Sequence, residues 1–475
     1  MQYLSTRGEA PTLGFVETLR AGLARDGGLY VPARYPRLDH EAIAGFAGLP
    51  YPALAERVIA PFVDGEIDGP ALRGMIDDAG AAFRHAAVTP IVQIGDNLFV
   101  LELFHGPTLA FKDIAMQLLG RMVNHVLGAR GARATIVGAT SGDTGAAAIE
   151  AFRASSQVDV FILYPHGRVS EVQRRQMTTV AADNIHAIAI EGTFDDCQAI
   201  LKGLFNNQRF RDELQLSGVN SINWARIVAQ IVYYFAGAAA LGGPHRPVSF
   251  AVPTGNFGDV LAGYVAKRMG LPLSRLTVAT NANDILARTL ATGLYELRAV
   301  RPTRSPSMDI QVSSNFERLI FEAYGRDPAA VRRLMASLAQ SGAFQIDASP
   351  LATIRTDFDA IAVDEERTMT EMAHTYAVSG YIADPHTAVG ISAARQAMSR
   401  EPATPVIVLG TAHPAKFPEA VETATGQRPT LPGHLADLMH RHEAFAVLPT
   451  DQGAVERFIR QRSRAARLMA ERVPA

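Results

Sequence analysis

The chain has 475 residues, of which 48% are hydrophobic and 19% charged, with a formal net charge of −2. That balance excludes a disordered polymer and lacks the basic surplus of a nucleic-acid or anionic-membrane binder. One cysteine, Cys197, excludes an internal disulfide framework and any multi-cysteine metal site, and fits a reducing compartment.

In chain order, residues 1–88 read as short helices joined by Gly/Pro turns such as Asp26-Gly27-Gly28-Leu29-Tyr30-Val31-Pro32. The first residues lack the apolar core of a signal peptide. From residue 89 the pattern becomes strand, Gly-rich turn, helix. Strands are expected at 98–103, 134–137, 158–163 and 185–190, with helices at 114–126, 146–152 and 170–181 and one around Cys197. Cys197 could be a nucleophile, but its helical setting reads as a buried structural thiol. A second series follows: helix 226–241, strand 248–252, helix 260–269, strand 276–279 and, near the end, strand 405–409. The apolar stretch 231–243 is shorter than the ~18–20 residues of a membrane span and reads as a buried helix. The arginine-rich tail (Arg457, Arg460, Arg462, Arg464, Arg467) reads as a solvated helix. Alternating apolar strands and amphipathic helices predict two doubly wound α/β domains, here 89–225 and 226–475, after an extension over 1–88. Ligands should then bind at the C-terminal ends of strands. No membrane and no nucleic-acid partner are expected, and a cytoplasmic location is.

Positive charge is almost always written as arginine: four lysines (Lys112, Lys202, Lys267, Lys416) stand against 41 arginines. Lysine can lose its proton and form a Schiff base, which a guanidinium cannot. Lys202 and Lys267 fall on polar helix faces. Lys112 instead follows Phe104-His105-Gly106-Pro107-Thr108-Leu109-Ala110-Phe111 and opens a helix in apolar company. Such a place disfavours the ammonium and suits a Schiff-base lysine that doubles as a general base. An ordinary surface Lys112–Asp113 pair fits the same residues.

Two Gly-rich turns stand at predicted helix starts. Gly255-Asn256-Phe257-Gly258-Asp259 is either a tight connection or an anion cradle. It is neither a Walker loop nor a dinucleotide fingerprint. Thr140-Ser141-Gly142-Asp143-Thr144-Gly145 offers hydroxyls and backbone donors for a carboxylate or phosphate, and Ser141 or Asp143 could equally serve as an N-cap. The histidines lack zinc-site spacing, so no metal is expected.

Several long motifs in order resemble the threonine synthase family, bacterial and fungal branch, within the fold type II pyridoxal-phosphate enzymes (tryptophan synthase β-like). They are Tyr3-Leu4-Ser5-Thr6-Arg7-Gly8, the 26–32 turn, the 104–113 lysine segment, the 141–145 loop and Ser221-Ile222-Asn223-Trp224-Ala225-Arg226. Pro253-Thr254-Gly255-Asn256-Phe257-Gly258-Asp259 and Thr411-Ala412-His413-Pro414-Ala415-Lys416-Phe417 complete the set. The resemblance implies two α/β domains around a cofactor cleft. Lys112 would carry pyridoxal 5'-phosphate, Gly255, Asn256, Phe257, Gly258 and Asp259 would cradle its phosphate, and Thr411 would meet the pyridine nitrogen. Ser141, Gly142, Asp143 and Thr144 would grip the substrate, with Asn223 and Arg226 in or near the site. Arg168 stands where the resemblance leads one to expect lysine. The implied enzyme is a carbon–oxygen lyase acting on phosphates, turning O-phospho-L-homoserine and water into L-threonine and phosphate, as a monomer or homodimer. A threonine-synthase-like phospho-lyase, releasing a 2-oxo acid, ammonia and phosphate, shares every motif.

Overall fold

A computed structural model describes residues 1–218 and 221–466. Two parallel sheets organise it. The first has six strands in the order Phe358–Ala362, Leu273–Thr280, Val248–Pro253, Val406–Gly410, Leu98–Glu102, Ile91–Gly95. All its pairings are parallel except the last, where Ile91–Gly95 runs antiparallel to Leu98–Glu102. The second has five parallel strands: Ala446–Pro449, Ile185–Glu191, Val158–Pro165, Ala134–Ala139 and Leu216–Ser217. Val158–Pro165 and Val406–Gly410 are buried at every position. Strands buried at every position need helices on both faces.

The sheets do not follow the divisions expected at residue 225. Ile91–Gly95 and Leu98–Glu102 pair with strands from the second half of the chain, and Ala446–Pro449 returns to the sheet of the first. The reason is register: Val406, Val408 and Gly410 lie opposite Leu98, Val100 and Glu102. This pairing puts the segment leading to Lys112 beside the segment leading to Thr411.

The extension has the expected helices, Phe15–Ala21, His40–Ala44, Tyr51–Val63 and Gly69–Gly80, plus strands Tyr3–Ser5 and Tyr30–Pro32 in an antiparallel pair. It docks on the helix Trp224–Ala240. The Tyr3 ring lies 6.2 Å from that of Trp224, and the Tyr3 hydroxyl donates to the Phe62 carbonyl at 2.7 Å. Each large side chain buried at this seam contributes ~1.5–3 kcal/mol.

The arginine-rich tail is not simply solvated. Helix Gln452–Arg462 buries Val455 and Ile459, Arg464 pairs with the buried Asp159 at 2.6 Å, and Ser463 meets Thr135 at 2.8 Å. Its arginines alternate with apolar residues that cover the second sheet; Arg467 lies outside the described residues. Cys197 is fully buried, and burial pushes its thiol up to about 12, as suits a structural role. Among the described residues no helix is long and apolar enough to cross a membrane.

Candidate active site

Lys112 is the first residue of helix Lys112–Ala129 and is buried, 9% exposed. Its entry loop is pinned to the end of the strand Val406–Gly410. The Phe111 N–H donates to the Thr411 carbonyl at 2.9 Å, and the His413 N–H donates to that of Leu109 at 3.0 Å. Asp113 is not its surface partner: it is fully buried and accepts from the Thr108 amide and hydroxyl at 2.8 and 2.7 Å. Instead the Lys112 Nζ points at Asp143 Oδ2 (3.4 Å) and Ser307 Oγ (3.3 Å). Burial lowers its amine below the ordinary lysine range, and Lys416 and Arg226 push the same way against the attraction of Asp143.

The turn after Val248–Pro253 faces the same space. The N–H groups of Gly255, Asn256 and Phe257 donate to no acceptor among the described residues, while the Gly258 N–H is held by Asn256 Oδ1 at 2.9 Å. Phe257, with φ of 65°, turns the chain into helix Gly258–Met269. Its ring packs inward against Phe316 and Phe358. Free amides converging on a helix start fit a phosphate. Gly255 must stay bare, since a Cβ there would lie 2.9 Å from Ile310 and 3.1 Å from the Ser307 carbonyl.

Asp259 lines the cleft, and its Oδ1 accepts from the Tyr233 and Tyr234 hydroxyls. Burial pushes its carboxyl up to about 7, with the tyrosines pulling against it. The folded protein thus holds this proton more tightly than the unfolded chain. The stability it brings is full below about pH 4 and is lost as pH rises through 7, by up to about 4 kcal/mol. Asp259→Asn keeps the Oδ1 acceptor and is expected to shrink the fall in melting temperature between pH 5 and 8. Asp113, also pushed up to about 7 by burial, supplies a remaining slope. Calorimetry showing identical slopes for variant and parent would refute this.

The 140–145 loop is built by Thr140, whose hydroxyl accepts from the Gly142 and Gly145 amides at 3.0 Å. Neither Ser141 nor Asp143 caps helix Asp143–Phe152; its N-cap is Gly142, at φ of 142° with the Gln173 side chain pressed against it. The Ser141, Asp143 and Thr144 amides donate to no acceptor among the described residues. Asp143 itself is buried and crowded: Lys416 Nζ reaches Oδ1 at 2.7 Å, Gln173 donates to Oδ1 at 2.8 Å and Ser307 to Oδ2 at 3.0 Å. Burial alone would raise its carboxyl, but the ammoniums of Lys416 and Lys112 hold it well below the usual carboxylate range.

One cleft is therefore lined by Lys112, Asp143, the 254–257 turn with Asp259, and Thr411. Arg226 is buried beside it, its guanidinium lowered to about 10 by burial. Asn223 is engaged with protein groups and is not among the residues lining the cleft. Its Oδ1 caps helix Trp224–Ala240 by accepting from the Ala225 amide, and its Nδ2 donates to the Leu19 carbonyl at 2.9 Å. Asn223→Ala is expected to destabilise the fold by ~1 kcal/mol, the worth of an N-cap, and to leave KM unchanged. A raised KM at unchanged melting temperature would restore the substrate role. Arg168 is exposed beyond the end of Val158–Pro165.

Two cleft residues, Ser307 and His386, and the buried Lys416 behind Asp143 carried no assigned role from the sequence. Lys416 had a usable signal, the same lysine scarcity that singled out Lys112. Ser307 sits in the 3₁₀ turn Pro306–Met308, too short to leave a periodicity in the sequence. His386 receives the Ser307 amide on Nε2 and donates from Nδ1 to Asp384 at 2.7 Å, a pairing invisible without the fold.

Family models match along the chain: "Threonine synthase N terminus" over residues 2–79, "Pyridoxal-phosphate dependent enzyme" over 83–411 and "Threonine synthase, C-terminal" over 387–459. The threonine synthase of Pseudomonas aeruginosa is 55% identical over 97% of this chain and 98% of its own. The PLP-bound threonine synthase structure from Brucella melitensis is 57% identical with a TM-score of 0.95, covering 98% of this chain and 100% of that one. The yeast threonine synthase structure is 39% identical with a TM-score of 0.92, covering 97% and 98%.

Proposed function

The chain belongs to the threonine synthase family of pyridoxal-phosphate-dependent enzymes, and on that footing we propose that it converts O-phospho-L-homoserine and water to L-threonine and phosphate. One observation carries this reading: Lys112, Thr411 and the 254–257 turn, which lie far apart in sequence, line one cleft with Asp143. The residues fit pyridoxal phosphate. The unpaired amides of Gly255, Asn256 and Phe257 would hold its phosphate, Thr411 would face the ring nitrogen and Lys112 would carry the aldehyde carbon. Bound there, the cofactor supplies an electron sink for the bonds broken at the substrate's Cα and Cβ.

The chain's own residues do the rest. Lys112 Nζ, lowered by burial, takes a proton from the substrate Cα and returns one at the end, which a permanently charged group could not do. The Ser141, Asp143 and Thr144 amides at the start of helix Asp143–Phe152 orient the substrate carboxylate. Arg226 supplies a buried cation on the side of the leaving phosphate. Phe111, Met308 and Ala412 wall the cleft with apolar surface and limit water. We place the protein in the cytoplasm as a monomer or homodimer with no nucleic-acid partner; the near-neutral charge and the single buried cysteine support this. Incubation with O-phospho-L-homoserine should yield threonine and phosphate in equal amounts. Accumulation of 2-oxobutyrate and ammonia in place of threonine would instead establish a phospho-lyase.

A further inference from the structure

Lys416 is the most completely buried lysine in the chain, at 0% exposure, and no role in the reaction above requires it. It closes the short turn Pro414–Lys416 just beyond the strand Val406–Gly410. Its Nζ donates to the Thr108 carbonyl at 2.8 Å and to Asp143 Oδ1 at 2.7 Å. Thr108 belongs to the loop that delivers Lys112, and Asp143 to the loop offered to the substrate. A single ammonium thus ties the first sheet to both working segments. It also shares one carboxylate with Lys112, which is on the other oxygen at 3.4 Å.

We infer that Lys416 is a positioning residue that supplies the direct counter-charge for Asp143, so that Lys112 is free to give up its proton while the 140–145 loop stays in place. A buried carboxylate needs a paired cation. With Lys416 absent, the only other ammonium on Asp143 is that of Lys112, and the pair would lock Lys112 in its charged form. Lysine suits the position because its compact head reaches two acceptors at once, on separate segments. The other charged or titratable groups facing Lys112 are few. Arg226 comes from helix Trp224–Ala240, while His386 from helix Pro385–Met398 and Asp259 from helix Gly258–Met269 line the same cleft. His386 acts on Asp143 only through space and Asp259 carries the wrong sign of charge, so neither replaces the direct contact of Lys416.

The inference rests on Lys112 carrying the cofactor, and the test separates the two. Holoenzyme is titrated, following the visible band of the Lys112-bound cofactor and the acid limb of kcat/KM. In Lys416→Met both midpoints should move to higher pH by about one unit or more, a tenfold gain in proton affinity. Lys416→Arg keeps the charge, though not the compact head, and should leave them nearer the parent values than Lys416→Met does. Asp143→Asn removes the carboxylate and should move them lower, and it decides the matter alone if Lys416→Met does not fold. Midpoints at the parent value in either folded variant, Lys416→Met or Asp143→Asn, overturn the inference. A parent protein whose reduced cofactor is not on Lys112 overturns the earlier reading instead.

Discussion

Lys112→Arg should abolish turnover, by at least about 10⁴-fold, while the protein still folds. The charge is retained and the ion pair with Asp143 can be rebuilt, so stability has little reason to fall. What disappears is an amine that can bond to a carbonyl carbon and exchange a proton at neutral pH. Borohydride treatment of the parent protein should bleach its visible band and leave a pyridoxyl group on Lys112, read by mass spectrometry. The variant should show neither. Label on Lys202 or Lys267, both away from the cleft, or on Lys416 would sink the assignment.

Gly255→Val should cost the protein its cofactor. The added carbons would meet Ile310, the Ser307 carbonyl and the Met308 Cα, two of which are backbone and cannot turn aside. Overpacking of this kind costs ~1–3 kcal/mol, which corresponds to a ~10–100-fold weaker hold on pyridoxal phosphate if the turn absorbs it. The same collision displaces Ser307, whose hydroxyl lies on both Lys112 and Asp143. Gly258→Val should be milder, because a Cβ there would press at 3.1–3.2 Å on the side chains of Asn256 and Asn315, which can move. Equal cofactor retention after dialysis by parent and Gly255→Val would remove the 255–257 turn from the site.

Much of this protein is legible in its residues wherever the physics is local. Apolar runs such as 158–163 and 248–252 dictate buried parallel strands, and the Gly-rich turns after them dictate helix starts with bare amides. The shortage of lysine, read with the apolar neighbours of Lys112, nominated that residue as the reactive amine because the chemistry of an amine is a property of the residue. The tertiary structure decided whatever depends on pairing between distant segments. Register alone set Leu98–Glu102 against Val406–Gly410 and so brought Thr411 to Lys112. Asp143 reads as an N-cap in sequence yet meets Lys416, 273 positions away, because two sheets converge on the cleft. Asn223 reads as a site residue within its motif yet caps a helix and holds the N-terminal extension. A side chain's partners across a fold leave no periodic trace in the chain that carries it, so local sequence can nominate a reactive group but only packing can say what faces it.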